Sequence, residues 1–281
     1  GAPVQVQLVG QTILSGRIDC LTTEARRDGV DVTLHGRDGA AVLVDCSAPI
    51  FTARQIGLAE IAAAVARPLG VTRIRIDAAT ANARDKISVE PGDTAWDVIQ
   101  HAAEVHGLWP WFTPDGTLVI GRPTTPAAPV ATLKLTRSGR DNNVVSLAET
   151  RDVSRRHSQV TVLGQTHGTG TQTGQHALSG AARDSGVAWY RPRIVVDHEC
   201  DSTAIAQHRA RKLLADSRLD GYTLTAELRG HLVDASARTP VPWAPGQRVH
   251  VVSEPHGLDE VMFVMARRFE GGRDRAPTTF L

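Results

Sequence analysis

The sequence predicts an α+β chain rich in β-structure, and three observations lead there. Stretches with an apolar residue at every second position recur towards both ends, which is the period of half-buried strands. Between them, two successive units each run helix, glycine, strand, a pattern that packs helices on one side of a small sheet. A proline-rich change of composition over residues 124–143 then separates the first half from a second β-rich body.

The most sharply bounded unit is ISVEPGDTAWDVIQHAAEVHGLWPWFTPDGTLVIGRP, residues 87–123. Ile87 and Val89 alternate with polar neighbours, and Pro91-Gly92 turns the chain. Asp93 or Thr94 is placed to accept hydrogen bonds from the free N–H groups of a helix's first turn. Over residues 94–106 the apolar positions Ala95, Val98, Ile99, Ala102 and Val105 fall at three- and four-residue spacing with Trp96 alongside. Gly107 follows where a left-handed cap belongs. Residues 108–112 and 117–120 are two short strands around Thr113-Pro114-Asp115-Gly116, in which proline fixes φ and glycine supplies a positive one. Trp96, Ile99, Trp109 and Trp111 are the expected structural core. For Trp109 and Trp111, which alternate on one strand, packing and a sugar-stacking shelf both remain open.

Taken in order, residues 1–48 open with alternating stretches at 4–9, 11–20 and 30–35 around the turn Arg27-Asp28-Gly29, as in part of a β-barrel or sandwich. A chain that starts directly on a strand leads one to expect a preceding segment. Residues 49–123 form the α+β domain, whose first unit is an alanine-rich helix over 58–67, ended by Pro68 and Gly70, and the strand VTRIRID. Residues 124–143 form a linker, because prolines oppose regular pairing there. Residues 144–281 hold strands near 144–149, 159–163, 222–228, 247–252 and 260–268. Within them, 164–186 is poor in large apolar residues and is expected to be an exposed mobile loop. The helix over 201–217 is capped by Asp201 or Ser202, and its His208, Arg209, Arg211 and Lys212 are expected on a solvated face.

Composition excludes several classes. Lys+Arg of 31 against Asp+Glu of 30 leaves a net charge of +1, so no overall field favours nucleic acid or acidic lipid. No apolar run approaches the ~20 residues that cross a bilayer, and the start GAPVQVQLVG lacks a signal-peptide profile. Cys20, Cys46 and Cys200 are odd in number and lack CxxC spacing, which fits reduced thiols better than a disulfide framework or a zinc site. GxSxG, GxxxxGKS/T and HExxH are absent. Asp197-His198-Glu199-Cys200 with His208 resembles metal ligands only weakly, and His101 and His106 miss the four-residue helical spacing. Asp93 and Asp97, the one carboxylate pair worth weighing as a glycosidase acid and base, are better explained as a cap and a first-turn charge. No catalytic residue, metal or cofactor is expected.

The succession of TILSGRID, TLHGRDGAAVLVDCSA, LAEIAAAVARPLG, ISVEPGDTAWDVIQHAAEVHGL, DGTLVIGRP, RRHSQVTVLGQ and WYRPRIVV resembles the baseplate hub proteins of Mu-like phage tails, also called Mu-type tail protein P and related to late control protein D. GRDGAAVLVDCSA followed by PGDTAWDVIQ is its most specific part. The resemblance extends over nearly the whole chain in the expected order. It implies two β-barrel-like domains, at 1–48 and 144–281, around the α+β domain, with the 201–217 helix inserted in the second half. It also implies a non-enzymatic homotrimeric ring that joins the tail tube, or a distal tube-initiator protein, to the central spike around the axial channel. Other baseplate proteins would be partners, with assembly in the bacterial host cytoplasm and residence in the virion baseplate, where genome ejection occurs; sequence-specific nucleic-acid binding and stable membrane insertion are not expected. Family members carry a further strand region before the equivalent of Gly1, and Phe280-Leu281 falls inside an expected last strand, so segments at both ends are expected to lie outside this chain.

The stretch VEPGDTAWDVIQ also resembles the opening of a LysM peptidoglycan-binding module. That fold needs a second helix after the first, whereas residues 108–112 contain Pro110 and are expected to be a strand.

Overall fold

The structure is a computed structural model describing residues 1–50, 52–53, 57–77, 87–89, 92–105, 107–122, 128–165, 178–197 and 200–281. Strands β1 (Pro3–Leu8), β2 (Gln11–Arg26) and β3 (Gly29–Asp38) form an antiparallel sheet in that order. β1 pairs with β2 only as far as Arg17, so beyond it β2 and β3 continue as a two-stranded arm to the Arg26–Gly29 pair. At the other end of β3 the Asp38 carboxylate accepts the Ala40 N–H at 3.0 Å and starts α1 (Ala40–Asp45), a short helix that the alternation of apolar residues does not announce. Gly39 precedes it because a Cβ there would lie 2.5 Å from the Phe112 ring.

The α+β unit follows the expected order. β4 (Thr52–Ala53), α2 (Leu58–Ala66), β5 (Ile74–Ile76), β6 (Ile87–Ser88), α3 (Ala95–Val105), β7 (Trp109–Phe112) and β8 (Leu118–Gly121) succeed one another. β4 pairs with β6, while β8 lies between β5, parallel to it, and β7, antiparallel to it. α2 runs into a single 3-10 turn that ends at Gly70 with φ +86°, the left-handed conformation that glycine adopts without a Cβ penalty. Thr94 caps α3: its Oγ1 accepts the Asp97 N–H at 3.1 Å, and the Asp97 carboxylate takes the Thr94 N–H at 3.3 Å, a reciprocal pair that satisfies two donors at the helix start. α3 closes at Gly107, also left-handed, with the Leu108 N–H bonded to the Ala103 carbonyl at 3.0 Å. Leu43, Leu58, Ile61, Val65, Ile99 and Ile120 are fully buried among the three helices and β8.

The remaining strands are β9 (Ala131–Leu135), β10 (Ser146–Arg151), β11 (Gln159–Gly164), β12 (Leu178–Arg183), β13 (Pro192–Val196), β14 (Tyr222–Arg229), β15 (Arg248–Ser253), β16 (Leu258–Phe263), β17 (Arg268–Gly272) and β18 (Arg275–Phe280), with α4 (Thr203–Asp220) between β13 and β14. They form sheets ordered β10-β14-β18-β17, β12-β11-β13 and β16-β15-β9. Leu133, Leu147, Leu228, Trp243, Val249 and Val251 form a core shared by the first and third of these sheets. Among the described residues no sheet closes into a barrel.

Two expectations require correction. Residues 131–135 belong to no linker: β9 pairs in parallel with β15, and Asn143 holds it by accepting the Lys134 N–H and donating to the Thr132 carbonyl, both at 2.7 Å. The prolines precede this strand and leave it free to pair. Residues 178–183, placed in the mobile loop, are strand β12, while 166–177 of that expected loop lie outside the described residues. The lack of large side chains here reflects close packing, because a Cβ on Gly180 would come within 2.1 Å of the Gln207 backbone nitrogen of α4.

By contacts between backbone positions the chain divides into two units, one of residues 1–122, 162–180 and 195–210 and the other of 123–161, 181–194 and 211–281. Strands β11 to β13 and helix α4 contribute residues to both.

Candidate interaction surfaces

Opposed residues of an antiparallel pair share a face, so the register of the arm sorts its side chains. Leu21 opposes Leu34, Thr23 opposes Val32 and Ala25 opposes Val30; Thr22 with Thr33 and Glu24 with Asp31 occupy the other face. The first face is apolar and open to solvent, with Leu21 62%, Leu34 54%, Val32 59% and Val30 64% exposed. Burying one such side chain is worth about 1.5–3 kcal/mol, and an isolated two-stranded ribbon is marginal in water. Contiguous apolar surface of this kind marks a place of contact. On the polar face Arg26 binds Glu24 at 2.9 Å and Asp31 at 3.3 Å.

In the first unit, α4 brings Arg209 to the Glu104 carboxylate on α3 and, at 3.4 Å, to Asp197 just after β13; His101 of α3 lies 3.3 Å from the same Asp197. Arg209 is therefore buried in an ion cluster and not on the solvated face expected for it, and Lys212 too keeps only 8% of its side chain exposed. The Ser202 hydroxyl accepts the Ile205 N–H at 3.3 Å, which makes Ser202 the cap of α4. Of the weak metal-like group, Asp197 is engaged by Arg209, Cys200 is buried, and residues 198–199 lie outside the described residues, as does His106. No grouping of three or more metal-ligating side chains occurs among the described residues.

In the second unit, Ser158, Gln159, Arg183, Val187, Trp189 and Tyr190 line a shallow recess of about 500 Å³. Asp184 also lines it. That carboxylate is 5% exposed and is bound by Arg218 at 2.9 Å, Arg156 at 3.0 Å and the Gly186 N–H at 2.9 Å. Arg218 above all, with Arg156 and Gly186, holds it well below the usual carboxylate range against the opposing effect of burial. Beside the recess Trp189 is 53% and Tyr190 74% exposed, and Ile194 on β13 is 67% exposed. Burial above all, with Arg193 and Arg191 nearby, pushes the His157 imidazole below its ordinary pKa.

The residues expected to form the central core differ in burial. Ile99 is fully buried; Trp96 is half-buried against the core and donates its indole N–H to Gln100 at 2.8 Å; Trp111 is half-buried; Trp109 is 40% exposed at the first position of β7. Asp97 is the first-turn charge of α3, its carboxylate taking the N–H of the cap Thr94, and α3 leads into the β7–β8 hairpin where a LysM fold would place a second helix.

Three family models match successive parts of the chain: the second domain of baseplate hub protein gp44-like proteins over residues 40–122, the third domain of tail protein NMB1110-like proteins over 156–214, and a tail protein C-terminal domain over 216–281. The tail protein of Neisseria meningitidis MC58 is 36% identical in sequence and shares the fold with a TM-score of 0.85, over 99% of this chain and 82% of that one. The chain belongs to the Mu-like phage tail and baseplate hub family. The 43 kDa tail protein of prophage MuSo2 from Shewanella oneidensis has the same fold at 22% identity, with a TM-score of 0.82 over 99% of this chain and 81% of that one. Baseplate hub protein gp44 of Escherichia phage Mu is 28% identical over 243 residues, 79% of this chain, and the chain spans 62% of that relative's length. The gp44-like match contains the PGDTAWDVIQ stretch and so assigns it to the hub family instead of to a glycan-binding module.

Proposed function

We propose that this protein is a structural hub of a phage-tail baseplate, a ring around the axial channel that connects the tail tube, or a distal tube-initiator protein, to the central spike. The observation that carries this is the likeness to the Neisseria tail protein over 99% of the chain, together with the gp44-like match at its centre. The β-rich bodies at 1–48 and 144–281 act as barrel-like ring elements, and the α+β domain of 49–123, with Ile99 in its core, Trp96 packed against it, and Trp109 and Trp111 outside that cluster, acts as a docking module. Three copies with two such bodies each offer six similar positions to a sixfold tube and a threefold symmetry to the spike. A homotrimer in the virion baseplate, assembled in the host cytoplasm beside other baseplate proteins and carrying no catalysis of its own, follows from this reading. The exposed apolar face of the arm and the aromatic rim of the second unit support it, since both are surfaces suited to lasting contact.

Light scattering on the full-length protein, alone and with its spike partner, tests the proposal. A trimeric mass is expected. A chain that stays monomeric at micromolar concentration with the spike present, or that forms a twofold dimer through self-matched patches, would remove the reason for calling it a hub.

A further inference from the structure

The recess of the second unit carries more positive charge than its one carboxylate neutralises. Asp184 is shared by Arg218 at 2.9 Å and Arg156 at 3.0 Å. A third arginine, the exposed Arg183, lines the same recess, and its guanidinium makes no ion pair or hydrogen bond among the described residues. Three guanidinium groups against one carboxylate leave a surplus of two positive charges here, in a chain whose net charge is only +1. Arginine stays charged at every working pH, so the surplus is permanent.

Free donors and apolar surface lie beside that charge. The Trp189 and Tyr190 rings are exposed, and neither the indole N–H nor the phenol hydroxyl has a hydrogen-bond partner among the described residues. Tryptophan, tyrosine and arginine are the residue types that dominate binding energy at protein contacts. A volume of about 500 Å³ is of the size that takes a small ligand or a few side chains. Exposed carboxylates of this chain are poorly placed to fill it, since Glu24 and Asp31 are held by Arg26, and Asp19 and Asp45 by Arg37. A nucleic-acid strand fits less well than a peptide, because single strands are held along a charged groove that tracks several nucleotides, whereas here the surplus is gathered at one recess.

We infer that this recess binds an acidic segment of a different baseplate protein, one in which a glutamate or aspartate stands beside an apolar side chain. Asp184 ties Arg156 and Arg218 in place and leaves Arg183 as the fork that takes the incoming carboxylate. The apolar neighbour packs on Trp189 and Tyr190, and opposite charge sets the orientation. The source of the segment rests on the proposed hub reading; the chemistry of the recess stands without it.

The test is fluorescence anisotropy of a labelled, N-acetylated octapeptide of alternating glutamate and leucine, titrated with the full-length protein. Saturable binding that weakens as salt rises is expected, with no binding of the lysine–leucine counterpart. Arg183→Glu and Trp189→Ala should each weaken it by at least about tenfold. Both side chains are exposed, so neither change removes core packing, and circular dichroism melts check that each variant folds. Arg27→Glu, the same charge change at the turn of the arm, should leave the affinity within about twofold. Absence of saturable binding, or equal binding by Arg183→Glu, would overturn the inference. Oligothymidylate or inorganic phosphate binding more tightly than the acidic peptide would assign the recess to phosphate groups and overturn the peptide as its occupant. A trimer by light scattering that ignores the peptide would overturn this inference and leave the hub reading intact. A monomer that binds the peptide through Arg183 would remove the hub reading and support the recess as a site for acidic segments.

Discussion

The guanidinium of Arg209 on α4 donates to the carboxylate of Glu104 on α3, 105 positions earlier in the chain, and Asp197 lies 3.4 Å from the same guanidinium. The side chains of Glu104, Asp197 and Arg209 are 13%, 4% and 10% exposed, so the arginine is what keeps two carboxylates tolerable in a dry setting. Arg209→Met should therefore cost about 3–5 kcal/mol, because it leaves charge buried without a partner. Arg209→Lys should cost less, as the charge survives and only the fork geometry is lost. Urea denaturation checks both; a loss under about 1 kcal/mol for the methionine variant would show that the carboxylates are rehydrated without structural cost.

Trp96 should contribute through area more than through its hydrogen bond. It is half-buried against the α3 core, and its indole N–H reaches Gln100, a residue on the same helix. A fully buried tryptophan costs about 3–5 kcal/mol on truncation, so Trp96→Ala should lose about half of that, and Trp96→Phe considerably less. Denaturation midpoints within error of the parent for Trp96→Ala would contradict the packing.

What was legible in the sequence was local. Thr94, Asp97 and Gly107 announce the two ends of α3 because a cap is made by residues within a few positions of one another. β12 and β9 are not legible for the opposite reason: Gly180 is small because it meets the backbone of residues 206–207, and β9 is completed by β15, more than a hundred residues away. Arg209 carries the same side chain whether it faces water or Glu104, and only the approach of α4 to α3 distinguishes the two. The alternation of Val30, Val32 and Leu34 identifies a strand, yet alternation leaves open which face is covered, and in the arm the apolar face is the open one. The aromatic rim lies in WYRPRIVV, a stretch that carries the family resemblance and no chemical signature of its own, since Trp189 and Tyr190 acquire meaning only beside the recess.

Gly180 gives a prediction with an internal control. Its Cβ would stand 2.1 Å from the Gln207 nitrogen and 2.3 Å from the Ala206 carbonyl carbon, both backbone atoms that cannot swing aside. Gly180→Ala should cost about 1–3 kcal/mol by forcing β12 and α4 apart. Gly29, where a Cβ meets nothing within 4 Å, should accept alanine with a change near zero. Equal thermal shifts for the two variants would mean that β12 and α4 separate freely.

The last prediction concerns acid. Asp184 is bound by Arg218, Arg156 and the Gly186 N–H, and its pKa is depressed by them, chiefly by Arg218. A carboxylate whose folded pKa lies below its unfolded value of about 3.9 binds its proton more readily when unfolded, so its contribution is complete above that value and is lost as pH falls through the folded pKa. Asp184→Asn removes the charge while keeping the shape. At neutral pH it should cost about 1.5–3 kcal/mol, the range for hydrogen bonds to a charged group. The upper end is not expected, because Arg156 and Arg218 keep 33% and 49% of their side chains in water and can be rehydrated. The difference in unfolding free energy between parent and Asp184→Asn should hold steady from neutral pH down to about 5 and shrink progressively below about 4. Urea titrations across that range measure it directly. A difference that stays constant down to about pH 2 would show that Asp184 contributes through neutral hydrogen bonds alone, and that its two arginines do not hold it as a charge.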